Sequence, residues 1–230
     1  MPGSIICVLG MHRSGTSYLT GSLQNAGLSL GDCHTWNPHN KKGNRENQAF
    51  IDLNDLVLSA NGGAWDNPPD KVIWQDSHLQ VAEELLKSNS STQRFGFKDP
   101  RTLLTLDGWK RVSSEMDFVG IFRHPNSVAE SLHRRGQMPR DEALNLWLAY
   151  NSRLYRGYKK SNFPIICFDD PEEILHQRLD QALEILGLVP VAEDDRFYED
   201  GLRNSQNTAS SQKLPWRVAR LYNKLKKISL

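Results

Sequence analysis

Cysteine is scarce in this chain, and its three occurrences, Cys7, Cys33 and Cys167, lie far apart. Neither a CxxC pair nor a Cys/His ligand spacing appears, which argues against a structural zinc and against a disulfide framework. Cys7 and Cys167 fall inside apolar runs, where a thiol behaves as a small hydrophobe. No apolar run is long enough to span a bilayer, so an integral membrane protein is not expected. An excess of one charge is missing as well: 28 Lys and Arg stand against 27 Asp and Glu. Without a global field there is no expectation of nucleic-acid binding, and any anion site must be local. Internal repeats and low-complexity tracts are absent. The first apolar run begins so early that a leader segment is not expected, and the predicted setting is reduced and cytoplasmic. The 230 residues suffice for one α/β domain with a full core, so a single domain over 1–230 is expected.

What is present starts with Val8-Leu9-Gly10-Met11-His12-Arg13-Ser14-Gly15-Thr16-Ser17. The apolar run Ile5 to Leu9 leads into it, and Tyr18 to Ala26 follows with Leu19, Leu23 and Ala26 at helical spacing. The order is strand, glycine loop, helix. Gly10 and Gly15 bracket four residues, as in a P-loop, so backbone N–H groups can turn inward around an anion at a helix N-terminus. The Lys that a nucleotide kinase carries after the second glycine is replaced by Thr16, and the cation inside the loop is Arg13. The plainer alternative is a strand-to-helix turn whose glycines serve chain geometry alone.

Further along, Asp32 to Arg45 is a polar stretch with Pro38 and Gly43, the composition of a surface loop. Asn44 is positioned to cap a helix carrying Phe50, Leu53, Val57 and Ala60. Asn61 to Pro69 breaks the chain around Trp65, Leu79 to Leu86 reads as a helix, and Ser88 to Thr92 as a linker. Phe95 to Phe97 is a short strand closed by Lys98-Asp99-Pro100-Arg101, and Asp117 to Phe122 is a strand closed by Arg123-His124-Pro125. Helices follow over Asn126 to Arg135 and along Ala143, Leu146, Trp147, Tyr150 and Leu154. Phe163 to Phe168 reads as a strand, after which Asp169 or Asp170 caps a helix ending at Gly187. A basic amphipathic helix runs from about Trp216 to Lys227. Strands alternating with helices predict an α/β fold: a three-layer, mostly parallel sheet flanked by helices, P-loop NTPase-like at its first turn. Ligands of such folds sit beyond the carboxyl ends of the strands. Three strand ends carry cations there: Arg13, then Lys98 and Arg101, then Arg123 and His124. Lys98 could instead pair with Asp99 or Glu115.

These residues resemble the sulfotransferases that use 3′-phosphoadenosine 5′-phosphosulfate (PAPS). His12-Arg13-Ser14-Gly15-Thr16-Ser17 is similar to that family's 5′-phosphosulfate loop. Lys98-Asp99-Pro100 resembles a segment of its tyrosylprotein and bacterial branches. Phe122-Arg123-His124-Pro125, with Ser131 eight residues after Arg123, resembles its 3′-phosphate motif. Gly43 to Asn47 and Leu53-Asn54-Asp55 resemble a helix start in small bacterial members. The resemblance implies that Arg13 and the N–H groups of Ser14, Gly15, Thr16 and Ser17 hold the 5′-phosphosulfate. It implies that Arg123 and Ser131 hold the 3′-phosphate and that Lys98 contacts the sulfuryl group or the bridging oxygen. Glu46 occupies a position similar to that of a catalytic glutamate, which makes it the candidate base, against the first-turn dipole role that any Glu could fill there. His12, His34, His39 and His124 are rivals, His12 being expected to pack or to contact phosphate. The Gly-rich basic loop that closes over the 3′-phosphate in cytosolic members is absent, and Glu199 to Lys213, with Arg203, Asn204 and Lys213, occupies its place. The implied cofactor is PAPS, the product is 3′-phosphoadenosine 5′-phosphate (PAP), and no metal is expected. The acceptor would be a small molecule, a carbohydrate or a peptide. Two other readings stay open: a P-loop kinase, and a nucleotide-binding protein without turnover.

Overall fold

The computed structural model describes residues 5–34, 43–89, 94–192, 196–197 and 212–230. Its centre is a four-stranded, all-parallel sheet of order β2-β1-β3-β4. The strands are β1 (Ile5–Leu9), β2 (Phe95–Lys98), β3 (Met116–Phe122) and β4 (Ile165–Cys167). They read as near-continuous apolar runs because both faces are covered, the usual condition of a parallel sheet. Along β1 the side chains alternate: Cys7 and Leu9 enter one core, Ile6 and Val8 the other.

The helices divide between these two cores, which gives three layers. On the Ile6 and Val8 face lie α1 (Thr16–Asn25) and α7 (Glu172–Ile185), through Leu19, Leu23, Leu175 and Leu179. The Cys7 and Leu9 face is covered by α2 (Gln48–Ala60), α3 (Asp76–Asn89), α4 (Thr102–Val112), α5 (Pro125–Gly136), α6 (Arg140–Ser161) and α8 (Trp216–Ile228). An aromatic cluster joins three of them to β2. Phe50 of α2 stacks on Phe97 at 4.4 Å and on Trp109 of α4 at 5.4 Å, and Trp74, just before α3, meets Trp109 edge-on at 5.6 Å. Among the described residues no helix is long and apolar enough to cross a membrane.

Local chemistry departs from the sequence reading in three places. The α2 cap is Asn47, whose side chain accepts from the Ala49 N–H at 3.0 Å, and not Asn44. The first residue of α7 is preceded by Pro171, with no side-chain cap bond; Asp169 and Asp170 turn toward arginines and a lysine instead. Helix α4 had no counterpart in the sequence reading, because Pro100 reads as a stop and Gly108 as a breaker. Gly108 is there for another reason: a Cβ on it would sit 2.0 Å from the Trp74 indole. Tertiary packing overrides its poor helix propensity.

Gly108→Ala is therefore expected to destabilise the fold by about 1–3 kcal/mol through overpacking against Trp74. Denaturant unfolding of the two proteins measures this directly; a change within experimental error would mean that Trp74 yields without cost.

Candidate active site

The loop between β1 and α1 is fixed by close approach. A Cβ on Gly10 would lie 2.8 Å from the Ile121 carbonyl oxygen, and one on Gly15 would lie 2.4 Å from the Phe168 ring. Gly15 is the N-cap of α1 at φ 88° and offers no side chain to the helix start. Arg13 also takes a left-handed conformation, at φ 66°, which is uncommon for a residue with a side chain. Left-handed residues on either side of Ser14 can turn successive backbone N–H groups toward one concavity. The first turn of α1 carries no acid to offset its dipole. Ser14 is fully buried, and among the described residues nothing hydrogen-bonds to its Oγ.

Two of the predicted motifs meet at this loop. Arg13 Nε donates to Ser131 Oγ at 2.8 Å, linking the loop to the second turn of α5 across 118 positions of sequence. Arg123, at the end of β3, is 5% exposed. Its Nε lies 3.4 Å from Asp169 Oδ1, its guanidinium carbon lies 5.3 Å from the Phe168 ring centre, and its carbonyl accepts from Trp147 Nε1 at 3.0 Å. Asp169 also accepts from the His124 N–H. His124 in turn caps α5 by accepting from the Asn126 N–H at 3.3 Å, and burial pushes its imidazole down, against the pull of Asp169.

Lys98 and Glu46 form the other half. The sheet register pairs Lys98 with Val8, two residues before Gly10. Lys98 Nζ contacts Glu46 Oε1 at 2.5 Å, with the lysine 1% and the glutamate 8% exposed. The partners foreseen for Lys98, Asp99 and Glu115, are therefore not the ones it takes. Glu46 is delivered by a small backbone clasp. The His34 N–H donates to the Glu46 carbonyl at 2.9 Å and the Arg45 N–H to the His34 carbonyl at 3.0 Å. Ser17 Oγ, in the first turn of α1, reaches the Asn44 carbonyl at 3.4 Å. Arg45, at φ 56°, donates to Gln24 and lies 4.5 Å over the Phe197 ring.

Behind the pair stands a buried polar knot. Asn54 of α2 donates to Asp99 Oδ2 at 2.8 Å and to Thr102 Oγ1 at 3.2 Å. Its Oδ1 accepts from Thr105 Oγ1 at 2.7 Å and from Trp109 Nε1 at 3.0 Å, so all four of its hydrogen-bonding positions are filled. Asp99 also accepts from Arg101 Nη1 at 2.9 Å, and burial raises its carboxyl to about 6. From sequence alone Asn54 stands out only within Leu53-Asn54-Asp55. A usable signal existed, since Asn54 is four residues after Phe50 on the apolar stripe of α2, where a polar residue needs partners.

The histidines separate clearly. His12 is half-buried and packs against Trp65, with ring centres 4.8 Å apart, and against Tyr150 at 6.0 Å. Burial and the neighbouring Arg101 and Lys98 push its imidazole well below the usual range, and nothing among the described residues bonds its Nε2. His34 is exposed, its backbone serving the clasp. His39, Arg203, Asn204 and most of the Glu199–Lys213 segment lie outside the described residues. Among the described residues no group of three or more His, Cys, Asp or Glu could hold a metal ion.

No protein-family model and no curated protein sequence matches the chain. Solved structures do. The sulfotransferase domain from the Synechococcus PCC 7002 olefin synthase is similar at a TM-score of 0.64 and 18% identity, over 98% of this chain and 95% of that one. The sulfotransferase domain from the curacin biosynthetic pathway is similar at 0.64 and 17% identity, over 98% of each chain. The fold is thus the one these sulfotransferase domains adopt.

Asp99 gives a pH-dependent signature. Between its ordinary value near 3.8 and its folded value of about 6, the folded chain keeps a proton that the unfolded chain releases, so this group lowers stability as pH rises through that window. Asp99→Asn removes the effect. Relative to wild type, the variant is expected to gain roughly 3 kcal/mol between about pH 4 and pH 7, at about 1.4 kcal/mol per unit. Urea titrations across that range test it; a constant difference would mean that the carboxyl titrates normally.

Proposed function

We propose that this chain is a sulfotransferase that moves a sulfuryl group from PAPS to a hydroxyl or amine by in-line displacement. The observation that carries the reading is the Arg13–Ser131 hydrogen bond of 2.8 Å. It makes one anion-facing surface from a loop suited to a 5′-phosphosulfate and a helix suited to a 3′-phosphate. The residues present fit such a ligand: the buried Ser14 Oγ has no partner among the described residues, and the α1 start lacks both a cap side chain and an acid. Bound PAPS would supply an activated sulfuryl group on a phosphate leaving group, with PAP as the product.

The chain's own residues then have distinct tasks. Arg13 and the N–H groups of Ser14 to Ser17 bind the 5′ end, since a guanidinium and a helix start both favour oxyanions. Arg123 and Ser131 bind the 3′-phosphate, with Asp169 orienting the Arg123 guanidinium. Lys98 neutralises charge that develops on the bridging oxygen, a role in which positioning supplies most of the rate. Glu46 accepts the acceptor's proton. Arg203 is assigned to the 3′-phosphate as well. The acceptor is a small molecule, carbohydrate or peptide.

Calorimetric titration with PAP, with and without magnesium, tests this on wild type and Arg123→Ala. Binding that needs no metal is expected, weakened about 10- to 100-fold in the variant by loss of a charge-assisted contact. Absence of PAP binding, with magnesium-dependent ATP binding instead, would overturn the reading in favour of a nucleotide-dependent kinase.

A further inference from the structure

The contact between Lys98 and Glu46 raises a difficulty that the proposed chemistry must meet. A base has to reach the acceptor's proton, and the cation has to reach the leaving group. Here each is consumed by the other, at 2.5 Å and nearly out of water. We propose that Glu46 is the resident counter-ion of Lys98 and competes with the bound anion for it, so that occupation of the phosphate loop releases Glu46. The base would then be available only once the donor is in place. This rests on the reading given under Proposed function.

The geometry supports competition at a single site. Lys98 sits on the strand beside β1, paired with Val8 and therefore next to the entry of the loop. The segment that carries Glu46 is bonded to the first turn of α1 through Ser17 Oγ and the Asn44 carbonyl. Both members of the pair thus border the concavity at the α1 start. An ammonium at 1% exposure needs a counter-charge, because an uncompensated buried charge costs several kcal/mol. Asp99, its sequence neighbour, is engaged elsewhere, its two oxygens accepting from Asn54 and Arg101. Glu46 fills the requirement in the protein as it stands, and an oxyanion in the loop would fill it equally well. Two anions facing one ammonium repel each other, so binding of the second weakens the hold on the first.

The clasp around Glu46 suits release. Its carbonyl accepts from the His34 N–H and its neighbour Asn47 caps α2, so the backbone is fixed, while among the described residues the side chain is held by Lys98. Rotation of the carboxylate alone would free it, without moving α2.

The test compares wild type, Glu46→Gln, Glu46→Ala and Glu46→Gln/Lys98→Met by titration with PAP and, separately, with inorganic pyrophosphate. Removing the competing carboxylate is expected to tighten binding about tenfold, within the usual range of site coupling. The double variant should lose that gain. A gain of affinity is not what damage to the fold produces, and the two single variants guard against one that misfolds. Equal or weaker binding by both single variants overturns the competition. Tighter pyrophosphate binding with no PAP binding by any protein would sink the donor assignment while upholding the competition. Failure of both probes to bind wild type would overturn both proposals, because the loop would then not be an anion site.

Discussion

Charges at the carboxyl edge of the sheet can be buried only in company. Lys98, Asp99, Arg123 and Glu46 are each no more than 8% exposed, in a region where an unpaired ion costs several kcal/mol. Each has an opposite charge within reach: Glu46 for Lys98, Arg101 for Asp99, Asp169 for Arg123. Much of the surrounding architecture follows from this requirement. Asn54 lies in the apolar face of α2 because Asp99 needs a second donor, and Thr105 and Trp109 are turned toward Asn54 because its carbonyl needs donors too. A half-satisfied network in that position would be worse than an apolar one.

The topology brings these charges together without long side-chain excursions. In the order β2-β1-β3-β4, the chain leaves β1 for one neighbour and later returns to the other side, so β1 is the strand at which the order reverses. At such a point the connections leave in opposite directions and open a crevice beyond the strand ends. The glycine loop occupies it, with Lys98 on one flank and Arg123 on the other. A Cβ on Gly10 would lie 2.8 Å from the Ile121 carbonyl oxygen, so the loop can pass this close only with glycine there. The loop is thereby pressed against β3, and α5, which follows β3, comes close enough for Ser131 to meet Arg13.

What could be read from the sequence was whatever depended on short range. The period of the apolar runs, the glycines flanking the loop and the cations ending three strands gave a parallel α/β sheet with a site at its carboxyl edge. The partners of those cations were not legible, because they lie 52 and 46 positions away and many carboxylates qualify by type. Asp169 read as a helix cap, a local role available to any Asp in that position, and the pull of Arg123 displaced it. Helix α4 was hidden by Pro100 and Gly108, two residues whose local preference points to a break. The indole of Trp74 over Gly108 and the contacts of Trp109 outweigh that preference, and none of them is visible within a window of neighbouring residues.

The start of α1 shows the same physics from the opposite side. Helices usually begin with a side chain that accepts from the first free N–H groups, and often with an acid near the positive end of the dipole. This one begins with Gly15 and has neither. Cations border it instead: Arg13 within the loop, held in a left-handed conformation, and Lys98 on the adjoining strand, the latter paired with Glu46. Positive charge at the positive end of a dipole is locally unfavourable, and the left-handed arginine adds a further 1–3 kcal/mol or so of strain. The protein offsets part of this from elsewhere, with Ser131 fixing Arg13 and Glu46 facing Lys98. An oxyanion seated among the same groups would satisfy the N–H donors, the dipole and both cations together. A phosphate or sulfate ester would thus add to the compensation that Ser131 and Glu46 already supply.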